Sequence, residues 1–197
     1  DEIIIACVVP PLIPVLKEMS NKYFSCNPII VGPGIKTGMS ILYKNPAEVG
    51  ADRIVNSVAA YEKYRGPLVI VDFGTATTFD VVSQKGEYLG GAISPGVQLS
   101  LEALFKSAAM LPRVDMGEPE SVIGKSTIES IHSGTVYGFV GMIDGMVLRI
   151  QEELQQKAQV IGTGGIVDLI ASKTKTIDII DPFLTLEGLR IIHRRNQ

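Results

Sequence analysis

Ile3, Ile4, Ile5 and Ala6, with Val8 and Val9 close behind, form an apolar run without polar alternation. That is the pattern of a strand covered on both faces, and such a strand needs neighbours on both sides. The sequence opens at Asp1 rather than at a methionine. The expectation is therefore the interior of a longer polypeptide, or a chain without its opening segment. Asp1 and Glu2 carry the wrong charge for a secretory leader, and no small-residue cleavage site follows an apolar stretch.

The 197 residues suit one large domain or two small ones. A chain of this length buries about 70% of the surface it exposes when unfolded, so it needs no covalent staple. Apolar residues make up 46% of the sequence, with a mean hydropathy of +0.27, yet no run approaches the ~18 to 20 apolar residues of a membrane span. That apolarity is available for a core or an interface, and it excludes disorder. Eighteen basic residues stand against 21 acidic ones, for a net charge of -3, and the basic residues form no stripe. Nucleic acid and anionic membrane are accordingly not expected as partners. Cys7 and Cys26 belong to no metal-ligand cluster and are too few for a disulfide framework. They read as small core residues in a reducing, cytoplasmic setting.

Along the chain, Pro10, Pro11 and Pro14 introduce a helix that runs to about Tyr23, and Pro28 to Val31 reads as a short strand. Residues 32–46, rich in Gly, Pro and Asn, read as a loop, and Ala47 to Tyr64 has helical spacing at Val49, Ile54, Val58 and Tyr61. Arg65-Gly66-Pro67 ends that helix and is the one plausible domain boundary. Strands follow at Leu68 to Val71, Thr77 to Ser83 and Tyr88 to Ile93, the last two joined as a hairpin at Gln84, Lys85 and Gly86. Helices are expected at Val97 to Ala109 and Thr127 to Leu154, the second opened by a capping box of Ser126 and Glu129. A strand at Gln159 to Ile161, a helix at Ile166 to Ser172, a strand at Thr176 to Ile180 and a helix from Phe183 to Arg194 complete a mixed α/β chain.

The sharpest chemical signal is Val69-Ile-Val-Asp72-Phe-Gly74-Thr75-Ala-Thr77-Thr78. An apolar strand delivers a carboxylate at its tip, and a glycine and three threonines surround the following turn. Phosphate chemistry uses such an arrangement: glycine admits close backbone approach, hydroxyls bind phosphate oxygens, and the aspartate can hold a cation that neutralises them. The plainer alternative is that Asp72 caps a turn and the threonines are ordinary strand residues. A second signal is Gly50-Ala51-Asp52-Arg53, an acid beside a guanidinium among Val49, Ile54 and Val55. On a surface this would be a solvated ion pair, but near buried positions a carboxylate needs a partner or a task. A third is Val160-Ile-Gly162-Thr163-Gly164-Gly165, a strand running into a glycine turn that could meet a nucleotide base or ribose, although it lacks the third glycine of a dinucleotide fingerprint.

Other features are quieter. Gly124-Lys125-Ser126 resembles the tail of a phosphate-binding loop, but no strand and no correctly spaced glycine precede it, so it reads as a loop and N-cap. Gly134, Gly138, Gly141 and Gly145 share one face of the long helix. Each costs about 1 kcal/mol in a helix interior, so the face should accept close packing, from another helix or from the same helix of a second subunit. His132 reads as a helix-surface residue and His193 as part of a basic helix end.

These motifs together resemble the type III pantothenate kinases of the acetate and sugar kinase, Hsp70 and actin superfamily. The resemblance runs from Ile3–Pro11 through Val31–Gly38, Gly50–Asn56, Val71–Thr78, Gly90–Gly96, Val122–Thr127 and Gly162–Gly165 to Asp181–Gly188. It implies an α/β fold of two RNase H-like (actin-like ATPase) domains, with mixed sheets flanked by helices and the first domain truncated at its N-terminus. Residues 1–65 would be the remainder of the first domain, with a closing helix at 184–197 packing back on it, and 66–183 the second.

The implied activity is ATP-dependent phosphorylation of pantothenate, the entry step of coenzyme A synthesis, in a homodimer whose substrate pocket lies near the subunit interface. By the same resemblance Asp52 is the proton acceptor. Tyr43, Gly50, Ala51, Asp52, Arg53 and Thr127 contact pantothenate, Asp72 binds a monovalent cation, K⁺ or NH₄⁺, and Gly74, Thr75 and Gly164 contact ATP, which brings Mg²⁺ with it. The family's opening Asp-x-Gly-Asn-Thr loop, which grips ATP phosphates, is not in this sequence, so a nucleotide site built from these residues alone is expected to be incomplete. Two other readings stand beside this one: a non-catalytic regulatory or accessory protein that keeps the fold, and a superfamily kinase or phosphatase acting on a sugar or polyphosphate.

Overall fold

The computed structural model describes residues 2–197, which divide into two compact units. Among the described residues the first comprises 2–68, 80–90 and 183–197, and the second 69–79 and 91–182.

In the first unit, β1 (Ile4–Ile5) pairs in parallel with β2 (Ile29–Ile30), and α1 (Ile13–Phe24) connects them. The expectation of a long strand buried on both faces is not met. Only two residues pair, both are half-buried, and Val8 and Val9 are about half exposed because the chain turns into a prolyl 3₁₀ turn at Pro10–Leu12. Cys7 and Cys26 are likewise half-buried, not core. The expected loop contains a short strand, β3 (Ser40–Ile41), paired in parallel with the start of β6 (Glu87–Pro95). α2 (Ala51–Tyr64) begins at 51 rather than 47, since Pro46–Glu48 is a single 3₁₀ turn capped by the Asn45 side chain and Val49 is extended. It ends at Arg65, which adopts φ +57°. Eight consecutive residues of α2, Arg53 to Ala60, are buried, so this helix is enclosed on every side. α6 (Leu184–Arg195) packs on it, and Val31, Ile54, Val55, Val58, Tyr88 and Ile192 form the core.

The second unit holds most of β4 (Leu68–Phe73) and part of β5 (Ala76–Val82). Two residues link β4 to β5 and a tight turn links β5 to β6, so both pairs are antiparallel. Sheet order continues from β6, β5 and β4 to β7 (Gln159–Gly164) and β8 (Ile179–Ile180), and β7 and β8 run parallel. β8 is only the end of the strand expected at Thr176 to Ile180. The helices are α3 (Val97–Ser107), α4 (Thr127–Leu154) and the short α5 (Val167–Ala171). α4 spans 28 residues and so extends about 42 Å. Its buried positions Val136, Ile143 and Val147 follow helical spacing and pack on Val69, Val71, Phe73 and Val160.

The hairpin tip at Asp80–Gly90, which the sequence reading places within 66–183, belongs to the first unit. Its physical tie is a set of polar bonds between Asp80, Tyr88 and Arg53 of α2.

Candidate active site

The first unit brings together five of the expected substrate residues. Gly50 is the N-cap of α2 and supplies no capping side chain, and the side-chain acceptor in the first turn is that of Asp52. Its Oδ1 accepts the backbone N–H of Arg53 at 2.8 Å and lies so close over Gly50 that a Cβ there would stand 2.5 Å away. The glycine thus makes room for the carboxylate, and the helix N-terminus favours its negative charge. Asp52 and Ala51 are half-buried, leaving the acid reachable from solvent.

Arg53, in contrast, points inward with its side chain 7% exposed, and Nε donates to Asp80 Oδ1 at 2.7 Å. Tyr88 donates its hydroxyl to the same oxygen at 2.8 Å. Burial, and then the Asp80 carboxylate, hold the Tyr88 phenol far above the ordinary tyrosine range, so it remains a donor. The Arg53 guanidinium lies 5.9 Å from the Tyr88 ring centre, and the Tyr43 ring lies 6.4 Å from it at 49°. Tyr43 is 36% exposed, so one edge of this aromatic stack faces solvent.

Four more expected residues gather in the second unit. Asp72 is the penultimate residue of the buried strand β4, and Gly74 and Thr75 form the exposed turn into β5, closed by Gly74 N donating to Ala76 O at 3.1 Å. Gly164, at the end of β7 with φ +102°, lies against Asp72: a Cβ there would sit 2.7 Å from Asp72 Oδ1 and from Phe73 N and O. Any side chain at 164 would therefore displace the carboxylate and strain the backbone. The three threonines do not encircle the turn. Thr75 is exposed within it, but Thr77 is fully buried in β5 and Thr78 half-buried, because strand alternation turns their side chains to opposite faces.

One neighbour of this turn carries no role in the sequence reading beyond its place in the Gly90–Gly96 stretch. Gly96, the N-cap of α3, donates its N–H to Thr75 O at 3.0 Å, and no side chain caps that helix. The first-turn N–H groups of α3 thus open beside Thr75, which suits an anion. Asp80 and Tyr88 were also missed, since an acid inside an apolar strand does not reveal its partner in sequence.

Thr127 belongs to the second unit. It opens α4 behind the expected cap, in which Ser126 Oγ accepts from Glu129 N at 3.2 Å. The Glu129 carboxylate reaches back to Lys125 N, one residue before the cap. Thr127 lines a groove of about 590 Å³ between α3 and α4, walled by Leu101, Leu104, Ile131, Phe139 and Met142. His132 is half-buried, and its Nε2 lies 3.0 Å from Asp115 O, so it tethers the preceding loop. Nothing lies within 4 Å of where a Cβ would be on Gly134, Gly138 or Gly141.

A family model described as type III pantothenate kinase matches residues 1–149. The chain belongs to that family. A type III pantothenate kinase of Geobacter sp. (strain M21) is 58% identical over 196 residues, covering 100% of this chain and 77% of the relative. One from Myxococcus xanthus (strain DK1622) is 56% identical over 194 residues, with 98% and 76% covered. Among solved structures, a conserved putative Baf family transcriptional activator from Campylobacter jejuni covers 100% of this chain and 83% of its own, with a TM-score of 0.66 at 21% identity. That likeness concerns the fold. Among the described residues no helix is long and apolar enough to cross a membrane, and no group of His, Cys, Asp or Glu is arranged to hold a metal by itself.

Proposed function

We infer that this chain phosphorylates pantothenate with ATP, the first step of coenzyme A biosynthesis. The observation that carries the inference is identity of 56 to 58% to named pantothenate kinases across nearly the whole chain. A non-catalytic accessory role is not favoured: relatives 56 to 58% identical are named kinases, whereas likeness to the structure named as a transcriptional activator, at 21% identity, extends to fold alone. Release of ADP by the full-length protein, dependent on pantothenate in the presence of ATP, Mg²⁺ and KCl, tests the assignment. Equal ADP release without pantothenate, or with a sugar in its place, would reject it.

In the mechanism we propose, the primary hydroxyl of pantothenate attacks the γ-phosphorus. An O–P bond forms there, the bond from that phosphorus to the β,γ-bridging oxygen breaks, and ADP leaves. Phosphoryl transfer asks for positioning and charge neutralisation more than strong basicity, so a carboxylate is sufficient to orient the hydroxyl and accept its proton late. Asp52 is assigned that role on two grounds: it is reachable from solvent, and a backbone N–H at the start of α2 holds it. Arg53 and Tyr43 would bind pantothenate beside it, and Thr127 another part of the same substrate.

ATP phosphates are assigned to the turn at Gly74 and Thr75 and the uncapped start of α3. The residues around Asp72 fit a monovalent cation: a half-buried carboxylate lies beside the Phe73 carbonyl, in space that a side chain at Gly164 would fill. A K⁺ or NH₄⁺ held there would offset phosphate charge. Gly164→Ala is expected to raise the KCl concentration needed for half-maximal activity by about tenfold or more, as for loss of a residue that positions a metal ligand, with pantothenate KM unchanged. An unaltered KCl titration would remove Asp72 from that role.

We also propose a homodimer formed through the open glycine face of α4, in a cytoplasmic enzyme. Light scattering should give twice the protomer mass for the wild type and a single protomer for Gly138→Leu. That substitution raises helix propensity, and no described atom lies within 4 Å of the Cβ it adds, so thermal stability of the protomer should not fall. An unchanged mass would place any interface elsewhere.

A further inference from the structure

The Arg53–Asp80 pair is costly for a merely structural feature. The two side chains are 7% and 0% exposed, and an ion pair withdrawn that far from water commonly returns less than its desolvation takes, so apolar residues of similar volume would hold the fold as well. The pair is also specified in unusual detail. One oxygen, Asp80 Oδ1, receives both Arg53 Nε and the Tyr88 hydroxyl. Two donors on one oxygen fix the carboxylate, which in turn fixes the guanidinium plane. Arg53 Nη2 is buried and has no hydrogen-bond partner among the described residues. Native proteins rarely leave such a donor unmatched. The Tyr88 ring links Arg53 to Tyr43, the second expected substrate contact.

We propose that Asp80 and Tyr88 are positioning residues of the acceptor site, a buried clamp that aims the free Nη2 of Arg53 and the ring of Tyr43 at oxygen-bearing groups of the substrate. The proposal rests on the pantothenate kinase reading above and adds two residues to it. Asp80 neutralises the guanidinium before substrate arrives, so Arg53 contributes an aimed donor rather than a net charge. The contact therefore selects for the placement of an acceptor oxygen more than for the substrate's overall charge.

The test compares Tyr88→Phe and Asp80→Asn with wild type in the full-length protein, measuring KM for pantothenate, KM for ATP, kcat and Tm. Hydrogen bonds to charged groups are worth enough to shift affinity by roughly tenfold or more. Tyr88→Phe is expected to raise pantothenate KM by about that factor, and Asp80→Asn by more, with the KM for ATP within about twofold of wild type. Tyr88→Phe removes a single oxygen and decides the matter should Asp80→Asn not fold. In an Arg53→Lys background, which lacks the planar Nε–H donor, Tyr88→Phe should add little further loss, as expected of residues acting through one another. Lowered Tm with wild-type kinetics in Tyr88→Phe would overturn the positioning role and leave the assigned activity intact. Absence of pantothenate-dependent turnover in the wild type would overturn both.

Discussion

Asp52→Asn is expected to lower kcat by about 10² to 10⁴-fold, the range over which a positioned general base contributes, while pantothenate KM changes little. The substitution isolates the proton. Asparagine keeps the shape of the side chain and an oxygen that can accept from Arg53 N, as Asp52 Oδ1 does at 2.8 Å. It also keeps the fit over Gly50, where little space remains. The structural loss is limited to the favourable charge at the start of α2, about 0.3 to 1 kcal/mol, so the folded protein should persist. Turnover within a fewfold of wild type would remove Asp52 as the base and return the pair Asp52 and Arg53 to a binding role.

The largest effect on stability is expected at Gly188, where α6 crosses α2. A Cβ there would stand 2.1 Å from Val55 O and 2.7 Å from Val55 Cγ1, and Val55 is fully buried. Backbone cannot give way as the end of a flexible side chain can, so Gly188→Ala must separate the helices. Overpacking of this kind costs about 3 kcal/mol, which lowers Tm by roughly 6 to 12 °C in a chain of this size. Thermal unfolding of the two proteins checks it, and a Tm within about 2 °C of wild type would mean that the crossing is looser than described. Because α2 begins at Ala51 and carries Asp52 and Arg53, the same variant should also lose affinity for pantothenate.

Much of this was legible in the sequence where signals are local. The bounds of α4 follow from a capping box at Ser126 and Glu129 and from the apolar spacing up to Leu154. The turn at Gly74 and the acid at Asp52 announced themselves as polar residues set among apolar ones. Features fixed by distant partners were hidden. β3 is two residues within a glycine- and proline-rich stretch, and only its pairing with Glu87 and Tyr88 makes it a strand. Asp80 reads as a flaw in an apolar strand until Arg53 and Tyr88 are found bonded to it. The opening isoleucines promised a deeper strand than Ile4 and Ile5 make, because periodicity reports apolarity and not what covers it.

Whether Asp52 receives the proton of the phosphoryl acceptor is read most directly from a crystal structure of the full-length protein with bound pantothenate. The primary hydroxyl oxygen is expected within about 3 Å of an Asp52 carboxylate oxygen, with Arg53 Nη2 donating to the same molecule. Pantothenate bound with that hydroxyl beyond reach of Asp52, and no ordered water joining the two, would contradict it.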